Sequence, residues 1–327
     1  MKRPVTMLLA WSLLSALVPA AELTFNPVEG WLKPAAQMET IGPAHGDVAV
    51  SAAGEVYVSI LSGPRAGIQV FGADGKYLRN VPDAPNDFHG FVIRKDTDGE
   101  FIYGARLSGQ SILKMQLDGK VVMTIDGAVI PAEFVNVQKD QRALRLTAVD
   151  VAPDGRIFAV DGYARDYIHI FDAAGKYQKS IGGKAAPHSF KTNHKIAIDT
   201  RFDPPRILCC DRENRRVVHL SLDGEVLGVI PEMKRPAAVA VFGDWAAVAE
   251  IEGRLSLLDK QGKTVKVLGE NTVKEQTATN KVAPSDWRTG ILTAPHGVDF
   301  DEQGNIFVTE FNTFGRVVRY DRDAGGK

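Results

Sequence analysis

At 327 residues, with 44% hydrophobic and 24% charged, the chain can bury a sizeable core, and a formal charge of −1 argues against nucleic acid or an anionic membrane as its main partner. Its two cysteines are the neighbours Cys209 and Cys210, which excludes a disulfide framework. Adjacent strand residues face opposite ways, so the pair reads as two small buried hydrophobes in a fold held by packing.

The chain opens with Lys2 and Arg3, an apolar run from Met7 to Val18, and Val18-Pro19-Ala20 ahead of Ala21-Glu22. This pattern predicts a secretory signal peptide over residues 1–20, cleaved after Ala20, and a secreted or periplasmic protein. The other reading of the segment is an N-terminal membrane anchor. Loss of Lys2 and Arg3 leaves 37 basic residues against 40 acidic ones. No later stretch is apolar and long enough to span a bilayer.

From residue 48 onward an internal repeat dominates. One hairpin runs from Val48 to Val58 about Gly54, returns from Val149 to Asp161 about Gly155, and returns again from Val298 to Glu310 about Gly304. A second hairpin turns at Asp74-Gly75 and Asp118-Gly119, with copies about Gly175, Gly224 and Gly262 and a truncated sixth from Arg319. Apolar and polar residues alternate on either side of each turn, as in half-buried antiparallel strands. Four strands repeated six times predict an all-β, six-bladed propeller as a single domain over residues 21–327. Blades begin near Gly46, His89, Thr147, His194, Ala237 and His296. The last blade lacks its outermost strand, so the segment between Phe25 and Ile41 is expected to supply it and close the ring. A longer polar connection, from Gly269 to Leu292, could cover one face.

Those six starting positions lie at the rim of the central channel. Histidine occupies blades two, four and six, about 120° apart, so His89, His194 and His296 are expected to form a triangle on the axis. That is the arrangement of a three-histidine metal site with an open fourth position, suited to zinc and also to iron, copper or nickel. His45 falls one residue early in the repeat and is set aside. His169 and His219 fall on third strands and His188 in a connection, away from the axis.

Where the second strand of each blade returns to this face, the sequence offers Arg65, Arg106, Asp161-Gly162-Tyr163-Ala164-Arg165, Asp211-Arg212-Glu213-Asn214 and Glu310-Phe311-Asn312. A phenol and guanidinium groups around a metal suit an anionic substrate. The acids Asp161, Asp211 and Glu310 are expected to tie down turns.

At Asp161-Gly162-Tyr163, His194 and Asp211-Arg212-Glu213-Asn214, within a stretch from Thr147 to Val217, the chain resembles the peptidyl-α-hydroxyglycine α-amidating lyases. These are six-bladed propellers of NHL-repeat type. The resemblance implies one axial zinc on His89, His194 and His296, Tyr163 as catalytic phenol and Arg212 facing the substrate. It implies cleavage of the N–C bond of a peptidyl-α-hydroxyglycine to an amide and glyoxylate. The substrate would be a small molecule or peptide C-terminus carrying a carboxylate, bound by a monomer. The family's first-blade arginine aligns with Leu61, leaving Arg65 or Arg106 as the substitute. Its structural calcium uses an aspartate after the third histidine, where this chain has Gly297. The family's two disulfides are also absent. A non-catalytic propeller binding a protein or cell-envelope ligand is the alternative. A calcium lactonase would need carboxylates on the axis instead of imidazoles.

Overall fold

The computed structural model describes residues 23–323. The expected leader, residues 1–20, lies outside them. Six four-stranded antiparallel sheets account for nearly all the regular structure, and among the described residues there is no α-helix. Inner strands run Val48–Val50, Phe88–Asp96, Ala148–Val151, Asn193–Asp199, Pro236–Phe242 and Pro295–Phe300, each within two residues of its expected start. Strand order within blades one to five follows the chain, so each blade is a meander built from two hairpins. The turns are tight because glycine supplies a left-handed residue: Gly54 sits at φ 78° and Gly155 at φ 85°.

Blade six is completed from the other end of the chain. Thr24–Pro27 pairs antiparallel with Arg316–Asp323, placing Phe25 opposite Arg322. The closing strand is therefore supplied as expected, beginning one residue before Phe25. Closure also removes the free edge that an open sixth blade would present.

The core consists of six large apolar clusters, one between each pair of neighbouring blades, and a small seventh of Ala237, Ile251 and Ala294. Tyr57, Ile68, Phe88, Phe91 and Met115 fill the space between blades one and two. Val58 and Phe71 meet Phe307 and Val317 between blades one and six, where Trp31 and Ile41 also pack. Each such Phe or Val buried contributes about 1.5–3 kcal/mol against exposure, before the entropy of ordering the chain. Cys209 and Cys210 are buried free thiols, one in the cluster toward blade three and the other in that toward blade five.

The two faces of the ring differ. The first-to-second and third-to-fourth strand turns of each blade lie on one face, whereas the second-to-third turns and the connections between blades lie on the other. Two of those connections are long. Residues 127–147 contain a short ribbon, Val137–Gln138 with Gln141–Arg142, that alternation of single residues does not reveal. In residues 269–294, Trp287 Nε1 donates to the Val282 carbonyl at 3.1 Å, and Arg316 donates to the Ile291 and Arg288 carbonyls at 2.9 Å each. The Arg316 bonds anchor that connection to blade six, and the Trp287 bond braces it internally.

Candidate metal centre

The three predicted histidines share one local device. Phe88 pairs with Arg106 and Gly90 with Ala105, so His89 is skipped by the ladder. His296 is skipped between Pro295 and Gly297, and His194 with Lys195 between Asn193 and Ile196. Each histidine is the extra residue of a β-bulge, which re-aims its side chain out of the sheet alternation and toward the axis. The resulting triangle is almost equilateral: ring centroids lie 4.9 Å apart for His89–His194, 4.9 Å for His89–His296 and 4.8 Å for His194–His296.

Every ring is held from behind in the same way. His89 Nδ1 lies 2.8 Å from the Thr147 carbonyl, His194 Nδ1 2.6 Å from that of Ala237, and His296 Nδ1 3.0 Å from that of Gly46. These acceptors are the equivalent positions of the next blade around the ring. Only an N–H can serve a carbonyl, so Nδ1 carries the proton in all three and Nε2 is a bare acceptor. This is the tautomer that ligating histidines adopt, with the second nitrogen bonded to a carbonyl. Burial holds His89 down to about 3, aided by His45 and Arg212 and opposed by the Thr147 carbonyl; His194 and His296 are also held well below the ordinary histidine range, chiefly by burial.

Three Nε2 lone pairs therefore converge with one hydroxyl hydrogen among them. Tyr163 Oη lies 2.9 Å from His194 Nε2 and 3.1 Å from His89 Nε2, and its single proton can serve only one. His296 Nε2 is buried without a partner. Buried acceptors in excess of donors are costly unless a cation takes them, and neutral imidazoles suit a transition metal. Of the imidazoles gathered here, His45, His89 and His296 bring ring nitrogens within 4.8 Å of one another, a group able to hold a metal ion.

Tyr163 reaches this point from a turn pressed against the neighbouring blade. A Cβ on Gly162 would lie 2.2 Å from the Asn193 carbonyl, so only glycine fits there. Burial pushes the Tyr163 phenol up, and the Arg212 guanidinium pulls it back. Arg212 Nη1 donates to Tyr163 Oη at 3.4 Å and Nε to Glu213 at 3.0 Å. Glu213 also accepts from Arg235 at 2.7 Å. Arg235 has a buried Nε without a partner and was not singled out in the sequence, where it is merely the residue before the fifth blade's Pro236. Two guanidiniums linked by one carboxylate leave a net positive charge beside the histidines.

The other predicted arginines are elsewhere. Arg65 donates to Tyr77 Oη at 2.8 Å, on the outermost strand of blade one, and its guanidinium stacks 4.7 Å from that ring. Arg106 is bound at 2.9 Å to Asp87, which also caps the Gly109 amide. Neither makes a hydrogen bond to a histidine or to Tyr163 among the described residues, and each is held by the partner named. The acids behave as expected: Asp161 accepts from the Arg145 and Arg165 amides, Asp211 from the Lys191 amide and Arg216, and Glu310 from Thr293 and Arg316.

His45, set aside in the sequence, joins the group. Its ring lies 5.0 Å from His89 and 4.8 Å from His296, and one ring nitrogen each from His45, His89 and His296 come within 4.8 Å of one another. A one-residue offset does not remove it because residues 44–46 run across the rim before the inner strand begins.

Below the histidines the channel holds Lys195, whose ammonium is bonded to Asp47, both buried. Asp47 takes the space beside Gly297, where an added Cβ would lie 2.4 Å from its Oδ1. With an ammonium on the carboxylate and no side chain at Gly297, these residues do not fit a calcium ion. At the opposite mouth, a cavity of about 390 Å³ is lined by Arg94, Ile198 and Asp299 and contains none of the histidines.

The chain is 30% identical over 236 residues to peptidyl-alpha-hydroxyglycine alpha-amidating lyase 2 of Drosophila melanogaster, covering 69% of this chain and 52% of that protein. The chain is a relative of these lyases. It is also 28% identical over 166 residues to a probable peptidyl-alpha-hydroxyglycine alpha-amidating lyase of Caenorhabditis elegans, covering 49% of this chain and 41% of the other. It spans about half the length of the curated relatives it matches. No family model matches. Among solved structures, a streptogramin B lyase superposes with a TM-score of 0.56 at 12% identity, covering 92% of this chain and 97% of its own. A gluconolactonase of Xanthomonas campestris does so with a TM-score of 0.58 at 13% identity, covering 92% and 98%. Identities this low speak for the propeller fold alone. The likeness to amidating lyases is the one that bears on function, and it marks the chain as lyase-like at the level of the family.

Proposed function

We propose that the chain is an exported, zinc-dependent lyase that cleaves the C–N bond of a peptidyl-α-hydroxyglycine-like carbinolamide, giving an amide and glyoxylate. The observation that carries this reading is the convergence of three Nε2 lone pairs on one point beside Tyr163 and Arg212. Zinc on His89, His194 and His296 would supply Lewis acidity toward the substrate's hydroxyl oxygen.

The remaining work falls to the side chains. Arg212, oriented by Glu213, presents a planar fork to the substrate carboxylate, and Arg235 adds a second positive charge on the same side. Tyr163, as phenolate, takes the hydroxyl proton. The oxygen's electron pair then forms the aldehyde carbonyl of glyoxylate while the C–N pair leaves with nitrogen, and the phenol returns the proton to complete the amide. Arg212 favours this role because it stabilises the phenolate against the burial that opposes it.

Glyoxylate release from α-hydroxyhippurate by zinc-loaded protein tests the reading. Tyr163→Phe is expected to lower kcat by about 10²–10⁴-fold. Arg212→Met is expected to raise KM as well, through loss of the carboxylate contact. No glyoxylate from the zinc-loaded wild type would reject this chemistry.

A further inference from the structure

The fourth imidazole has no place in a three-ligand catalytic site, and its surroundings suggest a use. The backbone about His45 is pinned to blade six on both sides. Ala44 exchanges both hydrogen bonds with Asn312, N–H to carbonyl at 2.9 Å and carbonyl to N–H at 3.0 Å, and the Gly46 carbonyl is the acceptor that orients His296. The segment that aims His296 thus also carries His45 over the same point. Phe311 backs the His45 ring at 4.4 Å.

His45 differs from the triad in what holds it. The three axial rings are buried and locked by Nδ1 bonds, whereas His45 is half-buried and its ring makes no hydrogen bond among the described residues. Ring packing, not a hydrogen bond, sets its orientation. The 4.8 Å spread of ring nitrogens is wider than the roughly 3.3–3.4 Å edge of a tetrahedron built on Zn–N bonds of about 2.0–2.1 Å, so a modest turn is what ligation requires.

Resting on the metal reading above, we propose that His45 is a displaceable fourth ligand: it closes the site at rest and gives up its position when an oxygen-bearing substrate enters. Four nitrogens make a closed site and three an open one, so this residue converts a structural-type coordination into a catalytic one on demand.

Zinc K-edge X-ray absorption on the zinc-loaded full chain tests this, comparing wild type with His45→Ala and with His45→Gln as a second variant. Wild type is expected to show one more imidazole than either variant, with one zinc per chain in all three. Glycolate, a two-carbon hydroxy acid, is expected to lower the wild-type count by one and leave His45→Ala unchanged. Chelator competition should find zinc held about tenfold or more weaker in His45→Ala. Equal imidazole counts in wild type and both variants would overturn the proposal while leaving the three-histidine site standing. Four imidazoles that persist under saturating glycolate would overturn displacement. Wild type without zinc would overturn both readings.

Discussion

The two ends of the central channel are both polar and draw on inner-strand residues, yet they satisfy their polar groups in opposite ways. At the far end Arg94 Nε donates to Asp150 at 2.8 Å, the other Asp150 oxygen accepts the Ile198 amide at 2.7 Å, and Asp299 accepts the Val50 amide at 2.9 Å. Those groups satisfy one another. At the near end three neutral imidazoles face inward with one hydroxyl hydrogen to share. A cavity of about 390 Å³ marks the far end, where the chemistry is closed, so an excess of unpaired acceptors is the better guide to a site than open volume.

The sharpest way to break this contrast is to remove one near-end acceptor. His194→Ala is expected to weaken zinc by more than about a hundredfold in chelator competition, since even outer partners of ligating histidines are worth about 10–100-fold. The unfolding midpoint of the metal-free protein should move little, because Thr147 and Ala237 show that the repeat tolerates other residues at this position. At the far end the expectation reverses. Arg94→Met leaves the Asp150 carboxylate without its guanidinium and is expected to cost about 1–3 kcal/mol in urea unfolding, with zinc affinity unchanged. Equal zinc loss in both variants would erase the distinction.

Between the two ends, Gly297→Ala should destabilise the fold by about 1–3 kcal/mol, because its Cβ would meet the Asp47 carboxylate at 2.4 Å and Thr309 Oγ1 at 2.5 Å. Thermal melts of the metal-free protein would measure it. A smaller effect concerns Asp161, pushed up to about 7 by burial despite the Arg145 and Arg165 amides. An acid whose folded value lies above its unfolded one takes up a proton on folding, so its contribution to stability is present below about pH 4 and is lost as pH rises through about 7. Asp161→Asn should flatten the stability profile over that window. An unchanged slope would show that other groups set it.

Much of this was legible because the repeat is written in residue types that physics constrains. Glycine turns such as Gly54 and Gly155 announce hairpins, and alternation about them gives the blades. Histidine in alternate blades gives the triangle without knowledge of side-chain geometry. What stayed hidden depends on angles a one-dimensional alignment does not carry. The bulges that aim the histidines show only in strand pairing. His45 is excluded by register but admitted by space, because the rim segment bends before its strand begins. Arg235 sits in a connection outside the repeat and reaches the site through Glu213. Arg65 and Arg106 occupy plausible loops, and Tyr77 and Asp87 hold them away from the histidines.

The proposed zinc site lies at the near end of the channel, away from Arg94. Elemental analysis of the purified wild-type protein beside Arg94→Met, both reconstituted with zinc and desalted, tests it most directly. About one zinc per chain in each is the predicted result. No stoichiometric transition metal in wild type, or zinc lost from the Arg94→Met protein while it remains folded, would contradict the account.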